Sequence, residues 1–136
     1  MSRANSRPSL DVLIQCPGSH GVIPDHVHEQ AAAMHDLGLN VLVLCCPAYT
    51  RSRVSAYPTI PCMFEGATTN VTTAFTRKLG KAMQTVRNQL RFAWEVYKHR
   101  PTLVLSASHV DSQSPLWVWP HMLMSFFRKT IYAMNL

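Results

Sequence analysis

Several features of membrane and secreted proteins are missing from this sequence of 136 residues. No apolar run approaches the roughly 20 residues that a membrane-spanning helix needs. The longest candidate, PLWVWPHMLMSFF, is about 13 residues long and contains Pro120 and His121. The polar opening MSRANSRPS has no apolar middle region of the kind found in secretory signals. We therefore expect residues 1–9 to form a flexible lead-in.

The four cysteines and seven histidines do not form metal-binding patterns. The sequence contains no C-x-x-C pair, no H-x-x-x-H and no H-E-x-x-H motif. We therefore predict no metal site. Cys16, Cys45 and Cys46 lie in or directly after apolar runs, which suits buried, reduced thiols in a cytoplasmic protein.

The common nucleotide-binding motifs are absent as well. The stretch PGSHGVIPDH, residues 17–26, contains only Gly18 and Gly21, so the dinucleotide pattern G-x-G-x-x-G is missing. The next apolar run ends in CCPAY and supplies no acidic residue to hold a ribose. The phosphate-loop pattern G-x-x-x-x-G-K-[ST] does not occur either. Binding of NAD or ATP through these motifs is disfavoured, and no cofactor is predicted.

Acidic residues are few, with seven Asp and Glu against 13 Lys and Arg, for a formal net charge of +6. The excess lies in residues 51–100, where nine basic residues meet only Glu65 and Glu95, a net of +7 that leaves −1 for the rest. This asymmetry indicates an anionic partner, such as lipid head groups, a phosphorylated substrate or nucleic acid, or else a solvated helix face. Nucleic acid is disfavoured because no aromatic platform is interleaved with the basic residues.

What the sequence does contain is an alternation of apolar runs and helical patterns. LDVLIQC (10–16) and NVLVLCC (40–46) are continuous apolar runs, typical of strands buried on both faces. Between them, apolar residues recur at helical spacing from Pro24 onward, and Gly38 provides a stop. Strand, loop, helix and strand in this order predict a βαβ unit with parallel strands.

The alternation continues in the second half of the chain. TIPCMFEG (59–66) is a candidate short strand weakened by its prolines, and the rest of 48–72 has no clear pattern. TLVLSAS (102–108) predicts a further strand, PLWVWPHMLMSFFR a helix and KTIYAMNL a last strand. Before them, residues 73–99 predict a long amphipathic helix. Its apolar stripe comprises Phe75, Leu79, Ala82, Met83, Val86, Leu90, Ala93, Trp94 and Tyr97.

Together these elements predict an α/β fold with an open, mostly parallel, Rossmann-like sheet and helices on both faces. Ligands of such sheets bind beyond the carboxyl ends of the strands, here at loops 17–24 and 107–115. The first loop leads into a helix whose free N–H groups suit a carboxylate, a phosphate or a sugar hydroxyl, unless it is a purely steric turn. In the second loop, His109 lies beside Asp111 and Ser112 and could donate a hydrogen bond to a substrate hydroxyl or act as a base. The alternative is a loop histidine that only forms a hydrogen bond with the backbone.

Two stretches resemble the N-terminal half of the family-four glycosyltransferases, which have the GT-B fold. DVLIQCPGSHGVIPDHVHEQAAAMHDLGLNVLVLCCP is similar to their first strand, glycine loop and helix ending in L…GH-x-V-x-V. KHRPTLVLSASHVDSQSPLWVWPHMLMSFFRKTIYAMNL resembles their later strand, histidine loop, helix and VYTxH strand, with Ala107 in place of the first histidine of the H-x-H pair. The resemblance covers about residues 10–136 and implies the acceptor-side domain of a GT-B fold.

The resemblance also implies an activity, that of a hexosyltransferase moving a sugar from a nucleotide-sugar donor to a glycan or lipid-linked acceptor without a metal. His109 is then the catalytic residue that contacts the transferred sugar. The implied substrate-binding residues are Gly18, Ser19, His20, Gly21, Asp111 and Ser112. The paired glutamates with which the family grips the donor have no counterpart here. The chain is therefore expected to be inactive without a C-terminal domain or a partner subunit.

The alternative is a non-catalytic α/β binding domain that docks a protein or an anionic membrane surface through the basic helix. A second Rossmann-like half with an E-x₇-E pattern downstream would favour the enzyme. Both interpretations predict a cytoplasmic protein, and the basic helix predicts peripheral contact with the inner face of a membrane.

Overall fold

Five parallel strands form one open sheet in the order β3-β2-β1-β4-β5. The structure is a computed structural model and describes residues 9–19, 21–64, 74–107 and 131–134. The elements are β1 (Val12–Cys16), α1 (Val22–Asp36), β2 (Val41–Cys45), α2 (Pro47–Ser52), β3 (Thr59–Ile60), α3 (Ala74–His99), β4 (Leu103–Ser106) and β5 (Ile131–Met134). The predicted fold class is confirmed, including the parallel βαβ unit formed by β1, α1 and β2.

The central strand β1 separates two apolar clusters because its side chains alternate between the two faces of the sheet. Val12, Ile14 and Cys16 pack in the cluster beneath α1. Leu13 packs in the other cluster, with Phe92 of α3. Helices therefore cover both faces, which explains why the strands are continuous apolar runs rather than alternating ones.

The helix α1 buries one narrow side, formed by Pro24, Val27 and Ala31. The three- and four-residue spacing of these positions places them on one face of a helix. The helix ends where predicted, since Gly38 has a φ of 84° and its N–H donates to the carbonyl of His35 at 2.9 Å. Glycine adopts this left-handed conformation without a steric penalty.

The segment that the sequence left open folds as a short helix and a two-residue edge strand. Pro47 begins α2, where its missing N–H costs no hydrogen bond. The strand β3 pairs with β2 at the edge of the sheet, and the N–H of Val43 donates to the carbonyl of Pro58 at 3.1 Å. An edge position tolerates the prolines that weaken this strand in the sequence.

The helix α3 has nearly the predicted length but an unexpected orientation. An apolar stripe usually faces a core, yet in α3 it faces outward, and Trp94 is 57% exposed. The inward side is mainly polar and consists of Thr85, Asn88, Gln89, Phe92, Glu95 and Val96. Residues 74–81 are exposed, so α3 contacts the other described residues mainly through its second half.

Candidate functional site

The carboxyl edge of the sheet contains the predicted glycine loop, which leaves β1 after Cys16 and enters α1 at Gly21. Gly21 has a φ of 99° and a ψ of −173°, a conformation that is essentially restricted to glycine. The backbone alone therefore requires this glycine, whatever the loop binds. Gly18 has no such requirement, because its φ is not positive and a Cβ added there would lie at an ordinary contact distance, 3.4 Å, from the Pro24 side chain.

Ser19 of this loop is buried, with 1% of the residue exposed. Its carbonyl accepts a hydrogen bond from Arg53 Nη1 at 2.9 Å. Beside it, the Cys16 thiol donates to the carbonyl of Gly18 at 3.7 Å. The carbonyl groups of Gly18 and Ser19 therefore both have a side-chain partner within the protein.

Arg53, which sequence reasoning missed, is the cation nearest to this loop among the described interactions. Its side chain is 11% exposed and forms an ion pair with Asp25 in the first turn of α1. The guanidinium also lies 4.7 Å from the centre of the Tyr49 ring, which adds a cation–π contact. A buried guanidinium, a glycine loop and a helix start therefore meet at one corner of the sheet.

The first turn of α1 adds hydrogen-bond donors to this corner. No side chain of the described residues caps the helix start. Of its first three residues, Val22 and Ile23 carry an N–H group that suits an anion, and Pro24 carries none. The carboxylate of Asp25 offsets part of the positive potential there. The corner can hold a phosphate or carboxylate group if that group competes with Asp25 for Arg53.

A hydrogen-bonded chain of three side chains lies next to this corner, beneath α1. The Tyr57 hydroxyl lies 2.6 Å from His28 Nδ1 and 2.9 Å from the Tyr49 hydroxyl. Burial is the main cause that raises the pKa of both tyrosines, so both hydroxyls remain protonated. These hydrogen bonds connect α1 to the segment after α2. They also fix the position of the Tyr49 ring, which contacts Arg53.

A buried polar pair occupies the ends of β1 and β4. The Ser106 hydroxyl donates to Gln15 Oε1 at 3.1 Å, and Gln15 is fully buried. Gln15 Nε2 lies 4.0 Å from the Met63 sulfur. A signal for this pair exists in the sequence, because Gln15 is the one polar residue within the apolar run VLIQC.

The thiols at this edge are suited to packing and not to reactivity. All four cysteines are free, and Cys16 and Cys45 are fully buried. Burial, and secondly the neighbouring Cys46 thiol, raises the pKa of Cys16 and that of Cys45 to about 12. Such thiols are not nucleophilic near neutral pH.

Four of the predicted site residues lie outside the described residues, as does the predicted helix PLWVWPHMLMSFFR. They are His20, His109, Asp111 and Ser112. The structure therefore brings Gly18, Ser19 and Gly21 together, and the proposed catalytic role of His109 stays a prediction. Within residues 9–19, 21–64, 74–107 and 131–134, no three His, Cys, Asp or Glu side chains converge in a way that could hold a metal ion.

Two cavities in the described part of the chain lie away from this corner. One, of about 440 Å³, opens at the amino-terminal edge of the sheet between His35 and His99. The other is an open depression of about 600 Å³ beside α3, lined by Arg87, Arg91 and Trp94 among others. Comparison with known proteins adds nothing to these sites, because no family model, no curated protein and no solved structure matches the chain.

Proposed function

We propose that this chain is the acceptor-side domain of a glycosyltransferase that moves a hexose from a nucleotide-sugar donor to a glycan or lipid-linked acceptor. The observation that carries the proposal is the largely buried Arg53 beneath the glycine loop, next to the start of α1, which no side chain of the described residues caps. The open parallel sheet, with its glycine loop at the carboxyl edge, is compatible with one half of a GT-B fold.

The proposed mechanism is electrostatic stabilisation of the departing nucleoside diphosphate. Negative charge develops on this leaving group as the bond to the sugar breaks. Backbone N–H groups at the start of α1 are fixed before the reaction, so they stabilise that charge without reorganising. The Arg53 guanidinium contributes once the diphosphate competes with Asp25 for it. Arg53 also donates to the carbonyl of Ser19, which ties the loop to the arginine.

The other roles follow from the resemblance. His109 orients the transferred sugar, while His20, Asp111 and Ser112 contact substrate. No metal is required, because the arginine and the helix start supply the positive charge. A C-terminal domain or partner subunit grips the donor, and the enzyme acts in the cytoplasm.

The test uses the complete gene product that contains this chain. It is incubated with UDP-glucose, UDP-N-acetylglucosamine or GDP-mannose and a membrane lipid extract, and the released nucleoside diphosphate is measured. We expect His109→Ala to lower kcat roughly 100-fold, a typical effect of losing one transition-state contact. His26→Ala is the matched control, since His26 is an exposed histidine of α1.

The role of Arg53 is tested with Arg53→Lys, which keeps the charge and loses the two-pronged guanidinium. We expect a lower kcat together with a moderate fall in the unfolding midpoint, because an ammonium group does not reproduce the contacts of the guanidinium with Ser19, Asp25 and Tyr49. Release of no diphosphate from any of the donors, or full activity of His109→Ala, would contradict the proposal.

A further inference from the structure

The outward face of α3 is the largest apolar feature that the described residues leave uncovered. Seven large apolar side chains on it are at least one third exposed, with Met83 at 67% and Leu90 at 56%. The full set is Phe75, Leu79, Met83, Val86, Leu90, Trp94 and Tyr97. A few exposed apolar residues are normal on a protein surface, but a contiguous row indicates an interaction surface.

These side chains form a straight ridge and not a scattered set. Their three- and four-residue spacing places them on one side of the helix. From Phe75 to Tyr97 the ridge extends for about 33 Å at the rise of an α-helix. The rings of Trp94 and Tyr97 are stacked at its carboxyl end, with centres 6.0 Å apart.

The charge beside the ridge is of one sign. The helix contains six Lys and Arg residues and a single acidic residue, Glu95. Glu95 is buried and pairs with Arg91 at 3.0 Å and with Lys98 at 4.0 Å, so it offsets part of their positive charge but is not itself exposed. Arg87, Arg91 and Lys98 occupy one flank of the ridge, because they fall within about 40° of one another around the helix.

A second copy of this chain does not fit this face. Pairing two α3 ridges would bring the same basic flanks together without acidic partners, and like charges at close range are destabilising. An anionic surface complements both features, since its apolar layer accepts the ridge and its charges meet the basic flank.

The details favour a lipid bilayer over an acidic protein. The ridge is convex and follows one cylinder, so it suits a flat, deformable surface. Tryptophan and tyrosine beside lysine and arginine are typical of helices that lie in the interface of a membrane. The depression beside the ridge is lined by Arg87 and Arg91, which suits a lipid phosphate, and the Arg87 guanidinium lies 4.2 Å from the centre of the Phe64 ring.

We infer that α3 binds the surface of an anionic lipid bilayer. The ridge enters the boundary between head groups and acyl chains, while Arg87, Arg91 and Lys98 contact lipid phosphates. This association is peripheral, because no helix within the described residues is long and apolar enough to cross a membrane. The inference is independent of the proposed transferase activity.

The experiment is co-sedimentation of the full chain with vesicles. One set contains phosphatidylcholine alone, and in the other set part of it is replaced by phosphatidylglycerol. We expect binding only to the anionic vesicles, and weaker binding at high salt because exposed charges are screened. Replacing Arg87 and Lys98 together by glutamine lowers the binding constant at least 10-fold, given that each basic residue near an anionic surface contributes measurably.

A second variant tests the ridge, with Leu90 and Trp94 both replaced by serine. We expect a loss of at least 10-fold in binding to anionic vesicles. The matched controls are Val54→Ser and Arg51→Gln, which alter an exposed apolar residue and an exposed basic residue away from α3. Both controls should bind like the wild type.

Five outcomes would overturn the inference. Equal binding to both kinds of vesicle, or binding to neither, contradicts a preference for anionic bilayers. A mass that rises with protein concentration in analytical ultracentrifugation, and falls in the serine variant, assigns the ridge to a second copy. Binding to polyglutamate but not to vesicles assigns it to an acidic protein. A large drop in the unfolding midpoint of the serine variant shows that the ridge packs within the chain.

Discussion

The two long helices α1 and α3 cover opposite faces of the same sheet but bury opposite kinds of side chain. The inward side of α1 consists of Pro24, Val27 and Ala31, all apolar. The inward side of α3 is mainly amide, hydroxyl and carboxylate groups, with Phe92 and Val96 as the apolar exceptions. The helix on one face of the sheet therefore buries apolar side chains, and the helix on the other face buries mainly polar ones.

Part of the difference comes from the segment after β3, which α3 contacts in addition to the strands. Phe92 of α3 packs in one cluster with strand residues such as Leu13 and Leu44. The backbone groups of the segment after β3 also need partners. Asn88 supplies them, since its Oδ1 accepts from the N–H of Phe64 at 2.8 Å and its Nδ2 donates to the carbonyl of Phe64 at 2.9 Å. A polar helix face turns inward where buried backbone must be satisfied.

The largest expected effect tests whether α3 is held to the sheet by its single large inward aromatic residue. Phe92 is fully buried against the cluster that contains Leu13 and Leu44. We expect Phe92→Ala to lower the free energy of unfolding by about 3–5 kcal/mol, measured by urea denaturation. Trp94→Ala, on the outward side, should change it by less than about 0.5 kcal/mol. Equal losses in the two variants would mean that both sides of α3 are packed.

The next effect concerns the polar contact itself. Asn88→Leu removes both hydrogen bonds to Phe64 and leaves two backbone groups without their partner, so we expect a loss of about 2–3 kcal/mol in urea denaturation. Asn88→Asp keeps the acceptor for the N–H of Phe64 but loses the donor, and its loss should be intermediate. If the Leu variant is as stable as the wild type, the polar contact of Asn88 does not stabilise the inward side of α3.

The contrast also shows which parts of the fold the sequence could predict. The strands β1, β2, β4 and β5, the helix α1 and the bounds of α3 follow from apolar runs and helical spacing, which are local properties. The inward side of α3 does not, because it depends on a segment more than 20 residues away in the chain. Hydrophobic periodicity predicts a helix and its apolar side, but tertiary contacts decide which side is buried.

The candidate site divides in the same way. The glycine loop was predicted because its position after a strand is a local pattern, and Gly21 meets a local backbone requirement. Arg53 was missed since it reaches the carbonyl of Ser19 from 34 residues away, out of a segment without a clear pattern. His109 lies outside the described residues, so its role rests on its position in the sequence and on the resemblance.

A smaller effect tests the α1 side, where the polar contacts form a short chain beneath the helix. Tyr57→Phe removes the hydroxyl that links His28 and Tyr49, and the residue is buried. We expect a loss of about 1–2 kcal/mol in the free energy of unfolding, because the Tyr49 hydroxyl then lacks a partner. Tyr49→Phe removes one link only and should cost less. A larger cost for Tyr49→Phe would show that the chain is organised around Tyr49 instead.

The last prediction concerns the thiols on the two faces of the sheet. Their effect on stability is smallest at neutral pH and becomes measurable only in alkaline solution. Cys16 and Cys45 lie in the cluster beneath α1, and burial is the main cause that raises their pKa from 9.0 to about 12. The folded protein therefore keeps protons that the unfolded chain loses between these values. Its stability is complete below pH 9.0 and falls as the pH rises toward 12, on the order of 1 kcal/mol per thiol for each pH unit.

Urea denaturation at a series of pH values under reducing conditions measures this fall. A variant with Cys16 and Cys45 both replaced by alanine is less stable at pH 7 but should lose less stability on the way to alkaline pH. Iodoacetamide provides the comparison between faces, since the half-buried Cys62 should be modified in the folded protein well before Cys16 and Cys45. A flat stability profile above pH 9.0, or equal labelling of all three thiols, would mean that the face beneath α1 is no drier than the face beneath α3.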